Sequence, residues 1–372
     1  MMEDRNRKLA QNLVKHSCKV EKGDKVWIDL RGKLAIDLAG NIIEEVYKAG
    51  GVPFVQMSHQ KLNRELLMQA TEEQLKLMAE IDVMRAKQMD AFIAINCPEN
   101  KFELSDVPQE KMQMRNKLYG RRVYNEILIP NTKWVLIEYP SESMAQLSGM
   151  SHERFKDFYY DVCNLDYGKM GKAMKPLKEL MERTDKVRIE GNGTSLSFSI
   201  KGIEVIACAG ENNIPDGEIF TAPVKESVNG VLKYNAPSTY NDFRYNDIKL
   251  KFKDGKIIEA ESNDTERLNK VLDSDEGARY IGEFAIGVNP YITDPMSDIL
   301  FDEKIKGSFH FTPGNSYEEA NNGNKSSIHW DLVCIQTEKY GGGEIYFDDV
   351  LVRKDGIFVL PELLCLNPEN LK

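Results

Sequence analysis

The chain has 372 residues, 41% of them hydrophobic and 29% charged, with 49 Lys and Arg against 59 Asp and Glu for a net charge of −10; its mean hydropathy is −0.46. That length allows two domains, each with its own core, and the composition is that of a soluble globular protein, not a disordered or membrane-embedded one. The acidic balance argues against a nucleic-acid surface, and no apolar run approaches the roughly 18 residues that cross a bilayer. The polar N-terminus lacks the apolar centre of a signal peptide, so the expected compartment is the cytoplasm. Six scattered cysteines, Cys18, Cys97, Cys163, Cys208, Cys334 and Cys365, form no C-x-x-C pair and read as reduced thiols.

Leu9, Leu13 and His16 fall at helical spacing and predict an amphipathic helix over 5–17. A strand at 25–30, a helix at 34–48 closed by Gly50 and Gly51, and a strand at 52–57 make a βαβ unit. Helical patterns over 62–89 and short apolar strands at 91–95 and 133–138 continue the alternation of a mainly parallel sheet. The basic stretch 111–122 reads as a solvated helix face. No G-x-G-x-x-G or P-loop pattern follows any of these strands, so a phosphate cradle is missing. Helices cover 151–183, and the texture changes at Thr184 and Asp185. From the strand at 186–190 onward come short strands, hairpin turns at Gly255 and Gly356, and one helix near 263–273. The expected fold class is therefore an α/β N-terminal domain with a mainly parallel sheet over 1–184, followed by a β-rich α+β catalytic domain over 185–372.

Two of only five histidines, His310 and His329, lie within twenty residues of each other, each in a run with strand character. Alternation on a strand sends His329 and Asp331 to one face and Ile328, Trp330 and Leu332 to the other; around His310 it sends Phe309 and Phe311 into a core. Either histidine alone reads as a hydrogen-bonded structural residue. An imidazole and a carboxylate projected from one strand, however, suit a divalent metal. Glu218 stands among the turn residues Pro215, Asp216 and Gly217, and Glu283 sits in an otherwise apolar strand, where a buried carboxylate needs a cation or donors. Tyr317, behind the turn at Pro313 and Gly314, offers a phenolic donor. Glu218, Glu283, His310, His329 and Asp331 are too many ligands for one catalytic zinc with an open position. They are about right for two ions sharing a carboxylate, which is the equipment of metal-assisted hydrolysis. Other hydrolase signatures fail: His152 and Glu153 begin an H-E-x-x-H pattern that Lys156 ends, and no G-x-S-x-G elbow occurs.

The segments 215–224, 277–283, 307–310 with Tyr317, and 324–331 resemble the thermophilic aminopeptidase family of metallopeptidases, and the opening helix and first strand resemble its N-terminal domain. The resemblance implies a metal-dependent aminopeptidase acting on peptides with a free N-terminus; charge and hydropathy lead us to expect no nucleic-acid or membrane partner. It implies two divalent ions per subunit (zinc, cobalt or manganese) on Glu218, Glu283, His310, His329 and Asp331. Tyr317 would be the catalytic tyrosine, Glu218 or Glu283 would move a proton, and a homodimer would enclose the active sites. A two-metal hydrolase of another amide or ester, and a non-catalytic binding protein on the same fold, are the alternative readings.

Overall fold

The computed structural model describes residues 2–240 and 243–372. The chain divides into two compact units, residues 1–164 with 210–214, and residues 165–209 with 215–372.

The first unit is built on a parallel sheet in the order Val52–Ser58, Lys25–Arg31, Ala91–Asn96, Lys133–Glu138 and Asn213–Ile214. Of the three inner strands, Lys25–Arg31 and Ala91–Asn96 are buried on both faces, which is why they read as near-continuous apolar runs and not as alternating ones. Val52–Ser58 is the edge strand and leaves Val52, Phe54, Val55 and Met57 exposed. The opening helix Met2–Gln11 runs on through Ser17 with wider turns, Cys18 N–H bonding to the Leu13 carbonyl five residues back. The helical stretch expected over 62–89 is two helices, Gln60–Gln69 and Glu72–Ala86, because the Thr71 side chain accepts from Gln74 N–H and starts a new helix there.

The second unit begins earlier than the change of texture at 184. Its first helix, Tyr167–Arg183, buries Tyr167, Met170, Met174, Leu177 and Met181 at helical spacing, and it packs on the strands Ile206–Cys208 and Glu218–Thr221. Composition marks where helices give way to strands; packing decides where the compact unit starts. The unit holds an eight-stranded antiparallel sheet, in the order Lys256–Glu261, Lys249–Lys253, Asn229–Lys233, Thr194–Ser199, Lys186–Gly191, Gly343–Phe347, Val350–Lys354 and Ile357–Phe358. A five-stranded antiparallel sheet runs Val333–Ile335, Ser308–Pro313, Ile281–Gly287, Glu218–Thr221 and Ile206–Cys208. The helix Thr265–Leu272 matches the one expected near 263–273.

Aromatic rings join the two sheets. Phe198 from the larger sheet meets Phe284 and Phe311 from the smaller at 5.0 Å between centroids, and Phe252 meets Phe311 at 5.8 Å. Phe284 and Phe311 therefore point into the sandwich core, and strand alternation turns Glu283 and His310 to the opposite face. That second face is also covered: every residue of Ile281–Gly287 and Ser308–Pro313 is buried. A charged carboxylate and an imidazole thus stand on a fully covered sheet surface.

Candidate metal centre

Three strands of the smaller sheet carry the first half of the site. Glu218 is the first residue of its strand, directly after Gly217, whose φ of +127° turns the chain; the carboxylate lies at a strand end and not within a loop. Gly287 pairs with Glu218, and Ala285 pairs with both Phe220 and His310, so Glu218, Glu283 and His310 share one face. The register shifts between Ile281 and Glu283, a bulge that re-aims the glutamate.

The second half comes from the segment carrying His329 and Asp331. It is an extended run with only a bridge between His329 and Gly314, not a long strand, yet the expected alternation holds: Ile328, Trp330 and Leu332 are buried while His329 and Asp331 face the site. Trp330 anchors it by stacking on Tyr240 at 4.7 Å and donating from Nε1 to Ser238 Oγ at 2.8 Å. His329 Nδ1 lies 2.8 Å from the Asn315 carbonyl. A carbonyl only accepts, so Nδ1 carries the proton and Nε2 keeps its lone pair toward the site. Asp331 is steadied by the Thr312 hydroxyl, which donates at 2.7 Å.

The halves meet on Glu283. Its Oε1 is 3.0 Å from His310 Nε2 and its Oε2 is 3.4 Å from His329 Nε2; His310 Nε2 is also 3.4 Å from Glu218 Oε2, and His329 Nε2 is 3.2 Å from Asp331 Oδ1. Two overlapping sets of donor atoms result, Glu218, Glu283 and His310 in one and Glu283, His329 and Asp331 in the other, each set within 4.8 Å. Tyr317 stands beside them, 45% exposed, its ring 4.5 Å from that of His329 and edge-on to Phe220 at 5.7 Å. All six residues expected at the site are therefore neighbours.

Charge governs this surface. Burial pushes both imidazoles down, but the carboxylates beside them push further up, raising His310 to about 9 and His329 to about 11. Burial would raise Glu283 and Asp331, yet the two histidines outweigh it and hold both below the ordinary carboxylate range. The acids thus draw positive charge into a buried place, charge that divalent ions would supply in exchange for those protons. Tyr317 is pushed well above an ordinary phenol, first by burial and then by Asp331 and Glu283, so it stays a hydroxyl donor. Glu218 Oε2, Glu283 Oε2, His310 Nδ1 and His329 Nε2 are buried with no hydrogen-bond partner. Each such atom costs about 1–3 kcal/mol. Of these, Glu218 Oε2, Glu283 Oε2 and His329 Nε2 belong to the two donor sets, and unpaired oxygen and nitrogen atoms there fit divalent ions.

Sequence reasoning missed the acids and the cation on the far side of Glu218. Lys304, 1% exposed, holds Glu218 Oε1 and Glu303 Oε1 each at 2.6 Å and has Asp216 Oδ1 at 3.7 Å. Burial pushes its ammonium down and these three carboxylates more than offset that, keeping it well above an ordinary lysine. Burial raises the Glu303 carboxyl to about 8, against the pull of Lys304. Cys208, with its thiol pushed up by burial and by Asp216, lies beside Asp216 and Glu218, the three offering ligand atoms within 4.8 Å of one another. Nothing local marks these residues in a chain where charged residues make up 29% of the sequence.

Oxygen and imidazole donors left unpaired on a covered sheet face are what a protein built around divalent ions presents. The chain belongs to the thermophilic metalloprotease (M29) family, whose sequence pattern matches residues 2–356, and it is accordingly a hydrolase. Aminopeptidase T of Thermus thermophilus is 26% identical over 391 aligned positions, covering 92% of this chain and 94% of the relative. The solved structure of wild-type AmpT from Thermus thermophilus has the same fold, with a TM-score of 0.81 at 22% identity over 97% of this chain and all of that one. A 2,5-dihydroxypyridine dioxygenase of Pseudomonas putida shares the fold more loosely, with a TM-score of 0.62 at 12% identity over 97% and 99% of the two chains. The fold alone therefore does not name the reaction, and the site must.

Proposed function

We propose that the protein is a metal-dependent aminopeptidase that removes N-terminal residues from peptides at a centre of two divalent ions held by Glu218, Glu283, His310, His329 and Asp331. The observation that carries this reading is Glu283, whose carboxylate belongs to both donor sets, as a carboxylate shared by two ions must. The family supports a protease, and the name of the Thermus relative supports action at the amino end. Ions bound there, zinc, cobalt or manganese, would lower the pKa of a bound water and polarise the scissile carbonyl.

The side chains do the rest. Glu283 orients both histidines, while His329 is fixed by the Asn315 carbonyl and Asp331 by Thr312. Tyr317, half-exposed and protonated, donates a hydrogen bond to the oxyanion that develops on the substrate carbonyl. A carboxylate of the centre, Glu218 or Glu283, moves the proton to the leaving amine. The acid-rich surface also suits a substrate ammonium. The cytoplasmic setting and the homodimer belong to the same proposal. The exposed apolar residues Val52, Phe54, Val55 and Met57 supply surface for a second copy, and light scattering in solution tests it.

Matched peptides with free and N-acetylated ends test the exopeptidase reading. Acetylation removes the charge and the lone pair of the α-amine, so stepwise release from the free peptides and none from the blocked ones is expected by mass spectrometry. Comparable hydrolysis of both would favour a two-metal hydrolase of other amides or esters.

A further inference from the structure

Lys304 is among the largest fully buried side chains of the protein. Burying an ammonium costs several kcal/mol unless it is closely paired, and this one is paired three times over, with Glu218, Glu303 and Asp216. Its backbone is equally fixed. The Lys304 carbonyl accepts from Asn289 N–H at 3.0 Å, and the Asn289 side chain donates to the Asp216 carbonyl at 2.8 Å, so one buried asparagine ties the lysine to the segment that carries Asp216 and Glu218. The pocket around the ammonium also has metal-binding potential of its own. Cys208, Asp216 and Glu218 offer three ligand atoms within 4.8 Å of one another, a set that includes neither His310 nor Glu283.

We infer that Lys304 is a built-in cation of the centre: its ammonium fills the place among Asp216, Glu218 and Glu303 that a further divalent ion would take. The inference rests on the metal-centre reading above. Two consequences follow from the geometry. Glu218 spends Oε1 on Lys304 and offers only Oε2, so it binds an ion through one oxygen and cannot chelate. The ions are confined to the donor sets that share Glu283, because a lysine ammonium is a point charge with three donors and no acceptor and repels a divalent ion from its own side. Lys304 is thus a positioning residue, acting through Glu218 and not on substrate.

The test counts ions. Wild-type protein, Lys304→Ala and Asp216→Asn are stripped with a chelator, reloaded with Zn²⁺, dialysed and measured by elemental analysis, with circular dichroism recording the fold. Lys304→Ala is expected to hold one equivalent more than wild type, and propylammonium, which refills the cavity with a charge, to return the count to the wild-type value. A folded Lys304→Ala that holds the same number or fewer overturns the inference. Should that variant not fold, Asp216→Asn decides: with Lys304 in place the wild-type count is expected, and loss of one equivalent would mean that an ion and not the ammonium uses the pocket. A wild-type chain that holds no zinc at all overturns the metal reading of the centre itself, a failure distinct from an unchanged count in the variant.

Discussion

At the scale of single residues, the six side chains of the centre divide by what they touch. Glu283 and His329 meet the other donors directly, whereas Tyr317 lies with its ring against those of His329 and Phe220. Glu283→Ala and His329→Ala are therefore expected to lower bound metal and turnover together. Tyr317→Phe removes one oxyanion donor, which costs about 10²–10³ in kcat, and leaves the metal content intact. Metal analysis beside steady-state kinetics separates the two cases; an unchanged kcat in Tyr317→Phe would end the oxyanion role. These residues were legible because their chemistry is rare in this chain: few histidines, and a glutamate within an apolar strand. Lys304 and Glu303 were not, because charged residues are abundant and their burial follows from partners more than eighty positions away in the case of Lys304 and Glu218.

At the scale of elements, the segment before His329 is held by two devices that can be tested separately. Gly314 has a φ of +111°, and a Cβ there would stand 2.1 Å from the Ile328 carbonyl oxygen. Gly314→Ala must push the His329 segment outward, and a destabilisation of about 1–3 kcal/mol with weaker metal binding is expected from denaturant unfolding and metal titration. The second device is Asp275, whose carboxylate accepts from Ser326 Oγ at 2.8 Å, from Ser327 N–H at 2.6 Å and from Gly277 N–H at 3.0 Å. Burial pushes its pKa up, but these donors lower it from 3.8 to about 2. A carboxyl depressed in the folded state stabilises above its unfolded pKa and loses that contribution as pH falls through the folded one. The wild type should therefore lose stability between pH 4 and 2 that Asp275→Asn does not have to lose, giving the variant a flatter profile there. Parallel profiles would show that the clamp contributes nothing.

At the scale of the whole molecule, the aromatic core between the two sheets of the second unit and the parallel sheet of the first are built without any contribution from the centre. Chelation is accordingly expected to abolish peptide cleavage while the far-ultraviolet circular dichroism persists, with a lower Tm because ions bind the folded state only. Undiminished cleavage after confirmed metal loss would remove the ions from the reaction. Among the described residues no helix is long and apolar enough to cross a membrane.

Strand and helix positions were largely written in the chain, because burial on a sheet or helix face imposes periods of about 2 and 3.6 that survive in a single sequence. The parallel strands, the hairpins at Gly255 and Gly356 and the opposed faces of Phe309 and His310 all follow from such local rules. What brings Glu218, Glu283 and His310 to one surface is antiparallel register between strands far apart in sequence, with the bridge from Gly314 to His329 adding His329 and Asp331, and no local period encodes either. Tertiary packing alone decided that the helix Tyr167–Arg183 joins the second unit and that Glu283 stands in both donor sets. It also decided that Lys304 is buried: a side chain's burial and partners depend on which distant strands close over it, and only the folded chain holds that information.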